Sequence, residues 1–290
     1  MKRIWIQRIG AAVLCAVLLA GCMPGDPAAD STASADPLTG QEQQYPGQRP
    51  AAVVIDNAPG STTQWGIGSA SVVLEAAARA DTAPSLCLVY PSVSAMPTVG
   101  PVTLGQDLFW RLLSGQQVLP IQRGCDLYTR NFLDYWNLRA VDALETGRNA
   151  FTTGNTDWAS PLWCTNGQSV AKVLGSLSLS SALSEDPAES ADSTQEGDTP
   201  AVPTVPALLP QQTDGHLPDA DVADAVHAAV QFPSGSTTRF AYDTDTGTYG
   251  MLHNDGSPQL DTNTGTQAAF DNLLVLYSAS TPRDDGRTLD

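Results

Sequence analysis

The sequence predicts an α+β protein, with an N-terminal mixed α/β domain followed by a smaller antiparallel β-rich domain. Three observations carry that expectation. Strand and helix signals alternate over residues 49–178, hairpin signals follow one another over 218–290, and an acidic, proline-rich stretch separates the two at 179–217.

The chain opens with Lys2, Arg3 and Arg8 around an almost wholly apolar run, Ile9 to Ala20, closed by Leu19-Ala20-Gly21-Cys22. A positive n-region, a short apolar h-region and small residues before a cysteine are the pattern of a lipoprotein signal peptide, placed here at 1–21. Cys22 is then the lipidated first residue of the mature chain. The run is shorter than the ~20 apolar residues that span a bilayer, and no later stretch approaches that length, so acyl chains on Cys22 are the expected anchor. Residues 22–48 are Pro, Ala, Asp, Ser, Thr, Gly and Gln with little to bury, and read as a disordered tether.

In the first folded part, Ala51-Ala52-Val53-Val54-Ile55 is a buried strand bounded by Pro50 and Asp56-Asn57. Ser71 to Ala80 is ambiguous, since its alanines favour helix while Val72-Val73-Leu74 suits a strand. Ser85 to Tyr90 is a strand after the turn signal Asp81-Thr82-Ala83-Pro84. Leu104, Leu108, Arg111 and Leu112 share one helical face that Phe109 and Leu113 widen. Val118 to Gln122 is a strand, and Asp126 to Trp136 a helix with Leu127, Phe132, Leu133 and Trp136 toward a core. Gln168 to Leu177 is a further helix.

The linker contains Glu185, Asp186, Glu189, Asp192, Glu196 and Asp198 with no basic residue, then Pro200, Pro203, Pro206 and Pro210. Beyond it, Thr238 to Tyr242, Thr248 to Leu252 and Asn272 to Tyr277 are strand-like. Asp243 to Gly247, Asn254-Asp255-Gly256 and Asp261 to Gly265 are the turns between them.

With 14 basic against 31 acidic residues the net charge is −17, and three of the basic residues lie ahead of Cys22. Such a surface repels nucleic acid and anionic lipid, and there is no basic stripe to displace counterions, so nucleic-acid binding is excluded. Of five cysteines, Cys15 lies in the signal and Cys22 carries lipid. A disulfide between Cys125 and Cys164 beside a buried Cys87 is one reading of the rest, and three buried thiols is the other.

No catalytic constellation stands out. Ser169-Val170-Ala171-Lys172 has the serine-x-x-lysine spacing of penicillin-binding enzymes, but the mature chain has no second lysine to complete such a site. Gly66-Ile67-Gly68 lacks the third glycine of a dinucleotide fingerprint. His216, His227 and His253 have no zinc-ligand partner at i+3 or i+4. The Asp243/Asp245 and Asp261/Asn263 loops begin like calcium loops but have Asn254 and Asn272 where the twelfth-position glutamate belongs, so they read as turns. No catalytic residue, metal or cofactor is expected.

Taken together, several segments resemble the YerB-like lipoprotein family. They are Asp36 to Gly40 with Arg49 to Asn57, Gly66 to Ala70 with Val72 to Glu75, Gly100-Pro101-Val102, Phe240 to Asp243, Tyr249, Asn254-Asp255-Gly256, Asp261 with Gly265, and Asn272 to Val275. The resemblance covers about 36–175 and 226–290 and implies a lipidated N-terminus with a two-part α/β ectodomain, but no activity. Where the family carries arginine and histidine, this chain has Thr82-Ala83, Val102 to Gln106, Gln122 to Asp126 and Pro161-Leu162-Trp163. It keeps Asp56 and Glu75. The resemblance thus points to a groove lined by Asp56, Asn57, Glu75, Asp126 and Trp163, with its ligand changed or lost and anions disfavoured. The family's last domain also continues with a glycine-rich strand pair, which leads to the expectation of a truncated chain with an exposed edge at Asn272–Tyr277.

The functional expectation is a lipid-anchored binding or scaffold protein of the bacterial cell envelope, non-catalytic, on the extracytoplasmic face of the cell membrane with an envelope protein as partner. The alternative is a receptor or enzyme for a wall-derived sugar or peptide.

Overall fold

The structure, a computed structural model, describes residues 35–58, 61, 63–155, 157, 159–184, 206–209 and 226–290. The signal peptide, Cys22, the first part of the tether and most of the linker lie outside the described residues. No helix among the described residues is long and apolar enough to cross a membrane.

The centre is a sheet in the order β2 (Val72–Ala76), β3 (Ser85–Tyr90), β1 (Ala51–Asp56), β4 (Leu119–Gln122), β5 (Val141–Asp142). β1 runs antiparallel to β3 and parallel to β4, so it sits at the switch from antiparallel to parallel pairing. Being covered on both faces, β1 and β3 are continuous apolar runs from Ala51 to Ile55 and from Leu86 to Tyr90 rather than alternating. Ala51, Val53 and Ile55 join Leu86, Leu88 and Tyr90 on one face, while Ala52 and Val54 join Cys87 and Val89 on the other. The strand β2 settles the ambiguous segment. Val72, Leu74 and Ala76 pack on the second face and Val73 on the first, a period of two that a helix cannot satisfy.

Helices α1 (Asp107–Leu112) and α2 (Leu127–Tyr135) cover the second face. Here the structure corrects the expected orientation. Phe109, Trp110 and Leu113 are buried, whereas Leu104, Leu108 and Leu112 stand 50%, 36% and 53% exposed. Both sides of α1 are apolar, and the side with the two large aromatics takes the sheet because those rings bury the most area. Likewise Thr129 and Leu133 are the buried residues of α2, and Leu127 and Trp136 are 66% and 61% exposed. Asp126 caps α2 by accepting the Thr129 N–H at 2.8 Å, and the Thr129 hydroxyl accepts the Asp107 N–H at 3.0 Å, which ties the starts of the two helices together.

After the short helix α3 (Ala143–Thr146) come the two-residue strands β6 (Thr152–Thr153) and β7 (Trp163–Cys164), which pair with each other. Helix α4 (Gly167–Leu174) follows, capped by Asn166. Its Val170, Val173 and Leu174 pack on the first face, while Lys172 points to solvent, so the serine-x-x-lysine spacing serves a helix surface.

The C-terminal part is the antiparallel sheet β8 (His227–Gln231), β9 (Thr237–Asp243), β10 (Thr248–Leu252) and β13 (Ala269–Phe270), with the small hairpin β11 (Leu260–Asp261) and β12 (Thr266–Gln267) beside it. Its Phe240, Met251 and Ala268 enter the same apolar cluster as β1, β3 and α4. The described residues accordingly belong to one compact unit. The expected turns at Asp243–Gly247, Asn254–Gly256 and Asp261–Gly265 join strands as their sequences require.

Several expectations fail locally. Asn272 to Tyr277 is not a strand: Leu273 touches the core, but Leu274, Leu276 and Tyr277 are 60%, 77% and 89% exposed and the backbone has no ladder partner. Residues 35–48 are folded rather than tether-like, because Asp36 accepts the N–H groups of Leu38 and Thr39 and turns Leu38 into the core. The described ends of the linker also dock, with Leu183 buried and Leu208 packed beside α1's cluster. Strand β8 went unrecognised because its alternation of exposed and half-buried residues carries no strong apolar signal.

The exposed and buried sides of α1 make a direct comparison. Phe109→Ala should cost about 3–5 kcal/mol in urea unfolding, and Leu112→Ser less than about 0.5 kcal/mol. Equal costs would invert the assigned orientation.

Candidate functional site

The sequence groups Asp56, Asn57, Glu75, Asp126 and Trp163, but the structure divides them. Asp56, Asn57 and Glu75 lie where β1 and β2 meet the C-terminal part. There the Asn57 side-chain amide donates to Glu75 Oε1 at 2.7 Å, and the Thr238 hydroxyl of β9 donates to the same oxygen at 2.6 Å. The side-chain amide of Gln64 donates to Asn57 Oδ1 and to the Asp56 carbonyl, at 3.0 and 2.7 Å. Gln259 donates to Asn57 Oδ1 at 3.0 Å and to Gln64 Oε1 at 2.6 Å. Gln64 and Gln259 are almost wholly buried. What the sequence suggests as an open groove is therefore a half-buried polar joint, in which Asn57, Gln64, Gln259 and one oxygen of Glu75 are bonded to one another and to Thr238.

A second contact completes the joint. Asp261, fully buried, accepts the Gly66 N–H at 3.0 Å and the Gly68 N–H at 2.9 Å through its two oxygens, and the Asn263 N–H at 2.9 Å. Successive main-chain N–H groups around a left-handed residue form an anion-holding concavity. Gly66 supplies that residue at φ 92°, and a Cβ there would lie 2.6 Å from the Tyr90 hydroxyl, which itself donates to the Gly66 carbonyl at 2.8 Å. So Gly66-Ile67-Gly68 does hold an anion, and the anion is the chain's own Asp261. Sequence reasoning named both ends, the glycines as a failed dinucleotide motif and the aspartate as a turn, without a signal to connect residues 195 apart.

Of the other two groove residues, Asp126 serves as the helix cap. Trp163 lies in β7 with the Arg123 guanidinium 5.8 Å from its ring centroid, and neither Trp163 Nε1 nor Arg123 Nε, both buried, has an acceptor. Cys87, Cys125 and Cys164 are free thiols in this structure, with no bond between Cys125 and Cys164. Cys164 packs near Gly100 and Gly154 on β7, while Cys125 sits at the end of β4 beside Gln122 and Arg130. Burial pushes the Cys164 thiol up to about 11 and raises that of Cys125, which leaves neither a ready nucleophile. Among the described residues no three His, Cys, Asp or Glu side chains are grouped to hold a metal.

Burial without a cationic partner pushes the Glu75 carboxyl up to about 7, against the hydrogen bonds from Thr238 and Asn57, and raises Asp56 in the same direction.

A separate opening lies between α1, α2 and the segment around Arg283. It is a cleft of about 730 Å³ lined by Arg111, Tyr128, Phe132, Tyr135, Trp136 and Arg283, among others.

Fold and joint together define a two-part α+β body in which a β-rich part is stapled onto a mixed sheet. Residues 38–179 match the family described as "Protein of unknown function (DUF3048) N-terminal domain", and residues 228–290 match its C-terminal domain. A Bacillus subtilis (strain 168) protein named "Putative lipoprotein YerB" is 31% identical over 150 residues. That match covers 50% of this chain and 41% of the relative, so it spans less than half of the relative's length. The crystal structure of YerB protein from Bacillus subtilis superposes with a TM-score of 0.69 at 21% identity, over 89% of this chain and 80% of that one. The chain belongs to this YerB-like family.

Two outcomes test the joint. Asp261→Ala leaves the Gly66 and Gly68 N–H groups buried without an acceptor and should cost about 3 kcal/mol in denaturant unfolding, with Asp261→Asn costing less. For Glu75 the folded carboxyl holds its proton up to about 7 while the unfolded one releases it near 4.5. Its contribution is therefore complete below that lower value, falls as pH rises between the two, and is gone above the upper one. Glu75→Gln keeps the acceptor without the charge. Relative to the native protein it should gain on the order of 2 kcal/mol between about pH 5 and pH 8, and a flat difference would refute a proton held on Glu75.

Proposed function

We propose that this protein is a lipid-anchored, extracytoplasmic, non-catalytic binding protein of the cell envelope that docks another protein through the outer side of α1. The anchor rests on the signal-like N-terminus ending in Cys22 and on the lipoprotein name of the Bacillus relative. The observation that carries the docking role is the leucine surface. Leu108 and Leu112 lie one turn apart on the exposed side of α1, and Leu104 and Leu144, 50% and 71% exposed, both stand beside Gly124. Exposed leucines on and beside one short helix of a chain with 31 acidic residues favour a partner contact. With a net charge of −17 the complementary partner is a protein with an apolar patch and a basic rim.

The joint argues against ligand capture at Asn57 and Glu75, because the Asn57 amide and Glu75 Oε1 are already engaged with each other and with Thr238, Gln64 and Gln259. Crosslinking of the native lipidated protein in its membrane, read by mass spectrometry, tests the reading. One envelope protein should be captured reproducibly, lost with Cys22→Ala, and reduced at least about tenfold by Leu108→Ser/Leu112→Ser at unchanged thermal stability. Undiminished capture by the leucine variant would overturn this surface as the docking site.

A further inference from the structure

The cleft between α1 and α2 is chemically unlike the rest of this acidic surface. Two guanidiniums meet in it. Arg283, its side chain only 11% exposed, donates from Nη2 to Asp107 Oδ2 at 2.8 Å, and Arg111 donates to the same oxygen at 2.9 Å. Asp107 is itself buried, so it fixes both cations in place. Their second acceptor is Asp290, whose Oδ1 lies 2.9 Å from Arg283 Nη2 and 3.5 Å from Arg111 Nη1. That carboxylate is 57% exposed and belongs to the lining of the cleft. The position between the two arginines is thus already shown to take a carboxylate, and the one it takes is at the water-facing side.

Around it stand four aromatic rings. Arg283 lies over Tyr128 at 4.8 Å and Arg111 over Phe132 at 5.5 Å, while Trp136 meets Tyr135 edge-on at 5.3 Å. Tyr135 and Trp136 are 80% and 61% exposed, an expensive display for rings of that size unless a ligand covers them. The rings alternate with hydroxyl and amide groups of Ser114, Tyr128 and Asn131, so the walls offer flat apolar faces with polar edges. An opening of about 730 Å³ falls in the range of small-molecule sites.

We propose that this cleft binds a carboxylate-bearing sugar. The sugar's acid would replace the Asp290 side chain between Arg111 and Arg283, and its ring would lie on Trp136 and Tyr135. With the buried Asp107 offsetting one of the two guanidiniums, a single further carboxylate balances the other and can bond to both. The aromatic faces suit the apolar face of a pyranose, and the hydroxyl and amide edges suit its hydroxyls. The chain's net charge of −17 limits the ligand to few negative charges, because a polyanion feels that field beyond the Debye length of about 8 Å while one carboxylate is held by local contacts. Asp290 is then an internal competitor whose removal tightens binding. None of the leucines of the docking surface takes part, so this site stands or falls independently of that reading.

The test is a titration of the full-length lipidated protein in detergent micelles, followed by tryptophan fluorescence and by calorimetry. The probes are glucuronic acid and N-acetylmuramic acid, the neutral glucose and N-acetylglucosamine, and N-acetyl-aspartate amide as a carboxylate without a sugar ring. Saturable binding of at least one acidic sugar is expected, with the neutral sugars at least about tenfold weaker. Asp290→Asn should tighten it several-fold, and Arg111→Gln and Trp136→Ala should each weaken it about tenfold or more at unchanged thermal melting. Absence of saturation even in the Asp290→Asn protein overturns the proposal. So does equal binding of neutral and acidic sugars, or N-acetyl-aspartate amide binding as tightly as the sugars, which would make the cleft a site for acidic peptides.

Discussion

The contact on which this molecule depends is the Asp261 carboxylate seated on the Gly66 and Gly68 amides. A buried carboxylate is costly unless each oxygen finds a donor, and main-chain N–H groups preset by a left-handed glycine are donors that need no further ordering. The interaction spans the two matched family regions, from the loop after β1 to the β11–β12 hairpin. Around it Thr238, Gln259, Asn57, Gln64 and Glu75 form a connected set in which removal of one partner strands another. Next to this polar seam, Phe240, Met251 and Ala268 continue the apolar cluster of the central sheet, so two segments that read as separate domains share a core.

This joint decides what is left for function. By packing over the ends of β1 and β2 it engages Asp56, Asn57 and Glu75 within the chain, although Asp56 and Asn57 follow the strand at the switch point of the sheet, where α/β folds commonly bind ligands. The surface proposed for function lies on the opposite layer. There α1 and α2 meet water with leucines, aromatics and two anchored arginines on a chain that is otherwise strongly acidic.

Much of the fold was legible because the central strands obey simple rules. Ala51 to Ile55 and Ser85 to Tyr90 are continuous apolar runs of strand length between turn signals, and the Asx-Gly turns of the C-terminal part fall where strands end. The site was legible only in part. Asp56, Asn57 and Glu75 do come together, but Asp126 is a helix cap, and Gln64 and Gln259 carry no pattern that marks a glutamine as buried. The orientation of α1 was misread because a six-residue helix with two apolar sides has no unique moment, and the choice falls to the volume of Phe109 and Trp110 against the sheet. Asn272 to Tyr277 misled for a related reason, since β-propensity needs a partner strand to be expressed.

The most direct test of the account is native-state hydrogen exchange at the Gly66 and Gly68 amides. If Asp261 staples the two parts into one folding unit, these amides exchange only through global opening, with the same protection as the β1 and β3 ladder amides, and Asp261→Ala lowers theirs first. Exchange of Gly66 and Gly68 orders of magnitude faster than the central strands in the native protein would contradict it. The two parts would then open independently, and the groove at Asp56, Asn57 and Glu75 would be accessible after all.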